Sequence, residues 1–372
     1  MKRIADFFRR EKMLSISLIL ALISLFITPL TGERIMNLSW KTLASLFMLF
    51  VSLEGLKKEN IFSPLENLLG RIRSTFALAL ALTFIVFASS AIITNDVALL
   101  TFVPLTIAMF RKSEKKQFLP SLIAIETIAA NLGSMLTPFG NPQNLYLFSK
   151  MNESASAFIM ELLPIWILSL ILLILALIFI FRHDMRNMIY IRDDVEPGYG
   201  ERSMRVLYIC LFLLTLATIL GAFEIFPILI TATAIVAVFD RKTFLKVDWP
   251  LLITFLCFFI FSSSISSNER IAYTLSEIAG GREFASGIIF SQIISNVPAA
   301  ILIEPFAGNL KALLFGVDIG GLGTPVASLA SLISIRIFFR EEKDRKGFMK
   351  SFFLWNIAFL IFLIPAAIIL IR

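Results

Sequence analysis

A short polar stretch inside an apolar run occurs twice in this chain, as Thr94-Asn95-Asp96-Val97 and Ser295-Asn296-Val297-Pro298. Each is followed by a proline, Pro104 or Pro305, and then by a Thr-Pro segment in the next apolar run. Aligning Thr94 with Ser295 places Asn95 on Asn296, Ala98 on Ala299 and Pro104 on Pro305, a constant offset of 201 residues with no gap. Downstream, Asn131-Leu-Gly133-Ser-Met-Leu-Thr137-Pro138 matches Asp318-Ile-Gly320-Gly-Leu-Gly-Thr324-Pro325 at an offset of 187. The 14-residue difference is attributed to the polar stretch from Arg111 to Pro120. A chain built this way is a diverged duplication, so its fold must consist of two related halves.

The solvent for that fold follows from composition. At 372 residues, 58% hydrophobic and only 16% charged, with a mean hydropathy of +0.85, the chain carries more apolar surface than a soluble core can hide. It reads as an all-α polytopic membrane protein. Helices are expected near 13 to 29, 38 to 56, 119 to 148, 157 to 181, 205 to 222, 226 to 239, 249 to 265, 311 to 335 and 352 to 371, since about 20 residues cross the hydrocarbon layer. The first run follows several basic residues but lacks a small-x-small cleavage signature, so it reads as a retained helix. Cys210 and Cys257 lie in apolar runs without CxxC spacing and read as packing residues.

The net charge of +7 would suggest nucleic acid in a soluble protein. Here most of the 34 Lys and Arg fall in alternate loops, which the positive-inside rule places in the cytoplasm with the N-terminus. The localisation read is the cytoplasmic (inner) membrane, and no nucleic-acid partner is expected. Both ends of residues 73 to 111 are basic, so this stretch returns to the side it came from, as a hairpin with Thr94 at its tip. Residues 283 to 309 enter from the opposite face; the arm from Phe284 to Ile294 spans only about 16 Å at 1.5 Å per residue, and so is re-entrant. The reading is therefore of inverted repeats. The first covers residues 1–181, with hairpin 73–111 and broken helix 119–148. A cytoplasmic linker occupies 182–204. The second repeat covers 205–372, with hairpin 283–309 and broken helix 311–335.

A hairpin tip at mid-membrane exposes backbone groups that lipid cannot satisfy, so the tips must line a protein or water-filled cavity. Thr94, Asn95, Asp96, Ser295 and Asn296 are N-cap residue types, and Pro298 suits a first helical turn. The free N–H groups of such a helix start favour an anion, and the carbonyls ending the preceding arm suit Na+. The string Thr137-Pro138-Phe139-Gly140-Asn141-Pro142-Gln143-Asn144 breaks its helix, with Gly140 allowing the backbone to turn and Asn141, Gln143 and Asn144 projecting amides into the gap. Gly320 through Pro325 breaks the second helix without the amide tail. The first half is expected to hold the more polar site.

These strings resemble the ion transporter superfamily that groups arsenite permeases, NhaD-type sodium/proton antiporters, citrate transporters and divalent anion/sodium symporters. The run from Asn131 to Asn144 is most similar to that of the uncharacterised YbiR-type inner-membrane transporters. The resemblance implies two hairpins and two broken helices in a moving transport domain, a scaffold domain that forms a homodimer, and elevator-type movement. It also implies a substrate and ion site at Thr94, Asn95, Asp96, Asn131, Gly133, Thr137, Pro138, Gly140, Asn141, Gln143, Asn144, Ser295, Asn296, Val297, Pro298, Asp318, Gly320, Thr324 and Pro325, with Na+ at Thr94, Asn95, Ser295 and Asn296. In the sodium symporters the tip motif is Ser-Asn-Thr; here Asp96 adds a charge and Val297 removes a hydroxyl, which looks closer to the arsenite-permease and antiporter branches.

The functional expectation is a secondary active transporter moving a small anion, an inorganic oxyanion or a di- or tricarboxylate, coupled to Na+ or H+. A Na+/H+ antiporter and an arsenite efflux permease are the alternatives. Ionisable groups in membrane segments are costly, so Asp96, Glu126, Glu304 and Asp318 each call for a role, Asp96 first. An enzyme is not expected: a single His183 and two scattered cysteines supply no nucleophile with a base. No cofactor beyond the coupling ion is expected, and there is no Walker-type phosphate loop.

Overall fold

The computed structural model describes residues 12–29, 31–61, 68–69, 71–112, 115–185 and 201–371. Among these the chain is all helical. The first half comprises α1 (Lys12–Ile27), the short α2 (Gly32–Met36), α3 (Trp40–Lys58), α4 (Thr75–Ile93), α5 (Asn95–Lys112), α6 (Leu119–Ser134), α7 (Pro142–Lys150) and α8 (Ala155–Phe181). The second comprises α9 (Arg202–Ile219), α10 (Ile225–Asp240), α11 (Trp249–Ser266), α12 (Glu269–Ala279), α13 (Glu283–Ile294), α14 (Asn296–Ile303), α15 (Leu310–Gly320), α16 (Leu329–Glu341) and α17 (Arg345–Ile371). Six of the described helical spans are long and apolar enough to cross a membrane.

The sequence-expected helices are present, with two boundary corrections. The last helix begins at Arg345 rather than near 352, and α16 runs on to Glu341, so the basic segment 336 to 350 is mostly helix. Packing decides this: Phe348 stacks on Phe338 with centroids 4.4 Å apart, and both are buried, while the basic residues at the start of α17 extend from a helix end. The charged linker read as 182 to 204 gives way to α9 at Arg202, and its residues 186 to 200 lie outside the described ones.

Helices pack in two groups. One is built on α1 against α11 and on α3 against α9 and α10. The other contains both hairpins and both broken helices: α4 lies along α6 and α13 along α15. The second arms cross over, α5 packing on α16 and α14 on α7, so each hairpin touches the broken helices of both halves. α17 closes this group by lying along α6 and α15.

One ionic knot holds the first group at one end. Asp240 Oδ2 accepts from Lys58 Nζ at 2.6 Å, Tyr208 OH at 2.9 Å and Thr243 Oγ1 at 2.8 Å. Gly55 makes room for the Tyr208 ring, since a Cβ there would lie 2.0 Å from ring carbon Cδ1. A cleft of about 420 Å³, lined by Lys41, Thr42, Ser45, Ser149 and Glu224 among others, opens between the two groups. A second, of about 310 Å³, lies between α7, α11 and the end of the second hairpin.

Candidate functional site

The site starts from backbone that ordinary side chains avoid. Thr94 turns the first hairpin at φ +74°, ψ 151°, and Ser295 turns the second at φ +78°, ψ 151°. A non-glycine residue there is strained by about 1–3 kcal/mol and persists only where the surroundings hold it. The holding contacts are visible. Asn95 N–H donates to the Gly140 carbonyl at 3.2 Å, and Asn296 N–H donates to the Ala327 carbonyl at 2.9 Å. The Thr137 hydroxyl donates to the Ala91 carbonyl, and that of Thr324 to the Gln292 carbonyl at 3.0 Å.

The same contacts recur pair by pair. Asn141 caps α7 by accepting from Asn144 N–H at 2.8 Å, and Ser328 caps α16 by accepting from Ser331 N–H at 3.1 Å. A Cβ on Gly133 would meet Phe87 O at 2.0 Å and Ser90 Oγ at 2.4 Å, while one on Gly320 would meet the Ile288 Cα and Ser291 Oγ at 2.9 Å. Hairpin partners in these pairs are 201 positions apart and broken-helix partners 187, the two offsets of the sequence alignment.

Where the halves meet, Asp318 on α15 receives the amide tail of the first break. Its Oδ1 accepts from Asn141 Nδ2 at 3.3 Å and Gln143 Nε2 at 3.2 Å. Among the described residues its Oδ2 is buried without a partner, as are Asn144 Oδ1 and Ser295 Oγ. The Asn296 amide nitrogen lies against Gly321, 2.8 Å from where a Cβ would stand. Asn141, Asn144, Ser295 and Asp318 are each at most 1% exposed, so the cluster is occluded. A carboxylate with one bonded and one open oxygen, beside an open amide oxygen, is suited to a proton or a hard cation.

Other expected site residues play different parts. Thr137 and Thr324 are latches onto the hairpins, their hydroxyls spent on backbone carbonyls. Asn131 bonds its own helix at the Thr127 carbonyl, 3.2 Å away. Ser295 does not cap α14 through its side chain. Asp96 starts α5 with its N–H bonded to Asn95 Oδ1 at 2.9 Å and its own Oδ1 buried and unpartnered, without a hydrogen bond to the Asp318 cluster. Pro138, Val297 and Pro298 are buried and Pro325 is half-buried, and all four shape backbone. Gly140 was expected to supply a turn conformation, but its φ lies outside the left-handed region; it is needed because a Cβ would sit 2.1 Å from Ser134 O. Among the glycines of the two breaks, the one at positive φ is Gly323, at +113°.

Sequence reasoning missed Gln292. Its Nε2 donates to the Gly320 and Leu322 carbonyls at 2.8 and 2.9 Å, and its Oε1 accepts from Thr324 N–H at 2.9 Å. The first break is sealed by other means: Asn144 Nδ2 donates to the Met135 and Thr137 carbonyls, and Trp166 Nε1 to the Gly133 carbonyl. The available signal was a lone glutamine in an apolar arm three residues before a tip dipeptide.

The family model described as "Citrate transporter" matches residues 8–314. An uncharacterized transporter of Methanocaldococcus jannaschii is 34% identical over 330 residues, covering 87% of each chain. The inner membrane protein YbiR of Escherichia coli K12 is 29% identical over 306 residues, covering 81% of this chain and 80% of that one.

Proposed function

The chain belongs to the citrate transporter family, and from that premise we propose that it is a secondary active transporter moving a small anion, an inorganic oxyanion or a di- or tricarboxylate, across the cytoplasmic membrane together with Na+ or H+. The observation that carries this reading is the pair of strained tips hooked onto two broken helices around the Asp318 amide cluster. The first N–H groups of both helix starts are held by the broken helices and by Asn95 Oδ1, so what the tips offer an anion is the partial positive charge of two helix starts. A buried carboxylate beside them repels that anion unless a cation or proton neutralises it first. Coupling then follows from the charge at Asp318: the loaded, neutral site is the one able to move.

The orientation that fits the loop charges puts the N-terminus in the cytoplasm. In this reading the two halves are inverted repeats, the hairpin-bearing group moves as an elevator, and the group built on α3 is the scaffold of a homodimer. A Na+/H+ antiporter is the second reading, favoured by Asp96 and Asp318, each with a buried oxygen lacking a partner.

The test is flux in proteoliposomes across a panel of citrate, succinate, sulfate, phosphate and arsenite, with imposed Na+ or pH gradients. Uptake that responds to a gradient is expected; a panel with no gradient-dependent flux or binding sinks the reading. Asp96→Asn separates the alternatives, abolishing proton exchange in an antiporter but sparing anion binding in a symporter.

A further inference from the structure

Away from the tips, α6 carries a second buried acid. Glu126 is 0% exposed, and so are its neighbours Ile123, Ala124, Ile125 and Ile128. Its Oε1 accepts from Thr106 Oγ1 on α5 at 2.7 Å, and Thr106 is itself 0% exposed. Its Oε2 is buried with no partner among the described residues. One hydroxyl cannot balance an ionised carboxylate in an apolar interior, so an ionised Glu126 is costly there.

Among the residues whose side chains are described, the surroundings supply no counter-charge. The charged groups so described on the elements packed against α6 are Asp96 and Arg111 on α5, Lys116 before α6, Glu161 on α8, Lys311 and Asp318 on α15, Arg336, Arg340 and Glu341 on α16, and Arg345, Lys346 and Lys350 on α17; α4 carries none. None of them pairs with Glu126, whose side-chain partner is Thr106.

The duplication provides an internal control. At the position matching Glu126 the second half has Leu313, also 0% exposed, and at the position matching Thr106 it has Ala307. At the Glu126 place, therefore, the other copy packs hydrocarbon, while Ala307 lies in extended backbone beyond the end of α14; both polar members are absent together from the other copy. A polar pair kept where Leu serves equally well for packing points to a use other than stability. Beside it, Pro104 interrupts α5; it has no N–H for the Leu100 carbonyl, which loosens that arm two residues before Thr106.

We propose that Glu126, hydrogen-bonded to Thr106 beside the Pro104 interruption, is a proton-binding site separate from the Asp318 cluster, exchanging its proton with water when α5 opens at Pro104. It deepens the coupling half of the function proposed above, yet its test needs no flux. The full chain is reconstituted in phosphatidylethanolamine/phosphatidylglycerol vesicles and titrated by infrared difference spectroscopy. Wild type should show a protonated-carboxyl stretch that shifts in D2O and fades as pH rises, and Glu126→Gln should lose that component. Thr106→Val should keep the band at higher frequency, because the carbonyl loses a donor; this variant keeps the test valid if Glu126→Gln does not fold. No intensity lost in Glu126→Gln, no frequency change in Thr106→Val, or a band that never titrates overturns the proposal. Loss of transport with these signals intact counts against the transporter reading instead.

Discussion

Ser295 and Thr94 occupy a backbone region meant for glycine, and their neighbours were legible from sequence only as polar tips, not as strained ones. Replacing Ser295 with glycine removes about 1–3 kcal/mol of strain while adding about 0.5–1 kcal/mol of unfolded-chain entropy. Because its hydroxyl has no partner, nothing else is lost, and Ser295→Gly should raise the thermal unfolding midpoint in detergent by the equivalent of about 1 kcal/mol. A lower midpoint would mean that the tip is not strained in solution. Asp318 behaves oppositely. Asp318→Ala takes one acceptor from the Asn141 amide, which keeps Ser134 Oγ at 3.2 Å, and leaves the Gln143 amide without its acceptor in the interior at about 1–3 kcal/mol, whereas Asp318→Asn keeps shape and polarity. Thermal unfolding should rank Ala well below Asn, and gradient-driven uptake should fail in both. The amide string was readable because three polar side chains crowd a Pro-Gly break; its meeting with Asp318, 175 and 177 positions away, was not. Local pattern carries no information on which helix faces a gap.

At the level of elements, the two arm-to-helix packings are related but not equally tight. A Cβ at Gly133 would overlap a backbone oxygen of α4 at 2.0 Å, which cannot rotate away, whereas at Gly320 the closest atoms stand at 2.9 Å. Gly133→Ala should therefore cost more than Gly320→Ala, the first at or above the upper end of the about 1–3 kcal/mol typical of overpacking and the second near the lower end. Thermal unfolding of the two variants compares them directly, and equal losses would contradict the packing described. Gln292→Leu tests the second break: it strips partners from two carbonyls and one N–H, at about 1–3 kcal/mol each, and should lower stability more than any exposed change on the same helix. Both breaks were readable as Thr-Pro segments with glycines. Their seals were not, since Gln292 and Asn356 act on backbone 28 to 33 positions away, and a lone polar residue in an apolar helix leaves no periodic trace. The reason for Gly140 escaped for a similar cause: sequence announces backbone freedom, and only packing reveals missing space.

For the whole molecule, the division into two helix groups makes a mechanical claim. One polar point where the groups meet is the contact between Thr42 on α3 and Ser149 on α7, whose hydroxyls lie 3.2 Å apart beside the larger cleft. If the hairpin-bearing group slides along the α3 group during transport, that pair must separate by far more than a disulfide allows, since a bridge holds the two Cα atoms within about 7 Å. The membrane helices were legible because apolar runs extend over long stretches; the two-group boundary was not, because it runs between α3 and α7 without a change in composition. The double variant Thr42→Cys/Ser149→Cys, in a background with Cys210 and Cys257 replaced by Ala, should form a bridge under mild oxidant and lose gradient-driven uptake almost completely. Reductant should restore it, and neither single variant should respond. Full uptake by the bridged protein would show that the two groups move together, and an elevator built on this boundary would have to be abandoned.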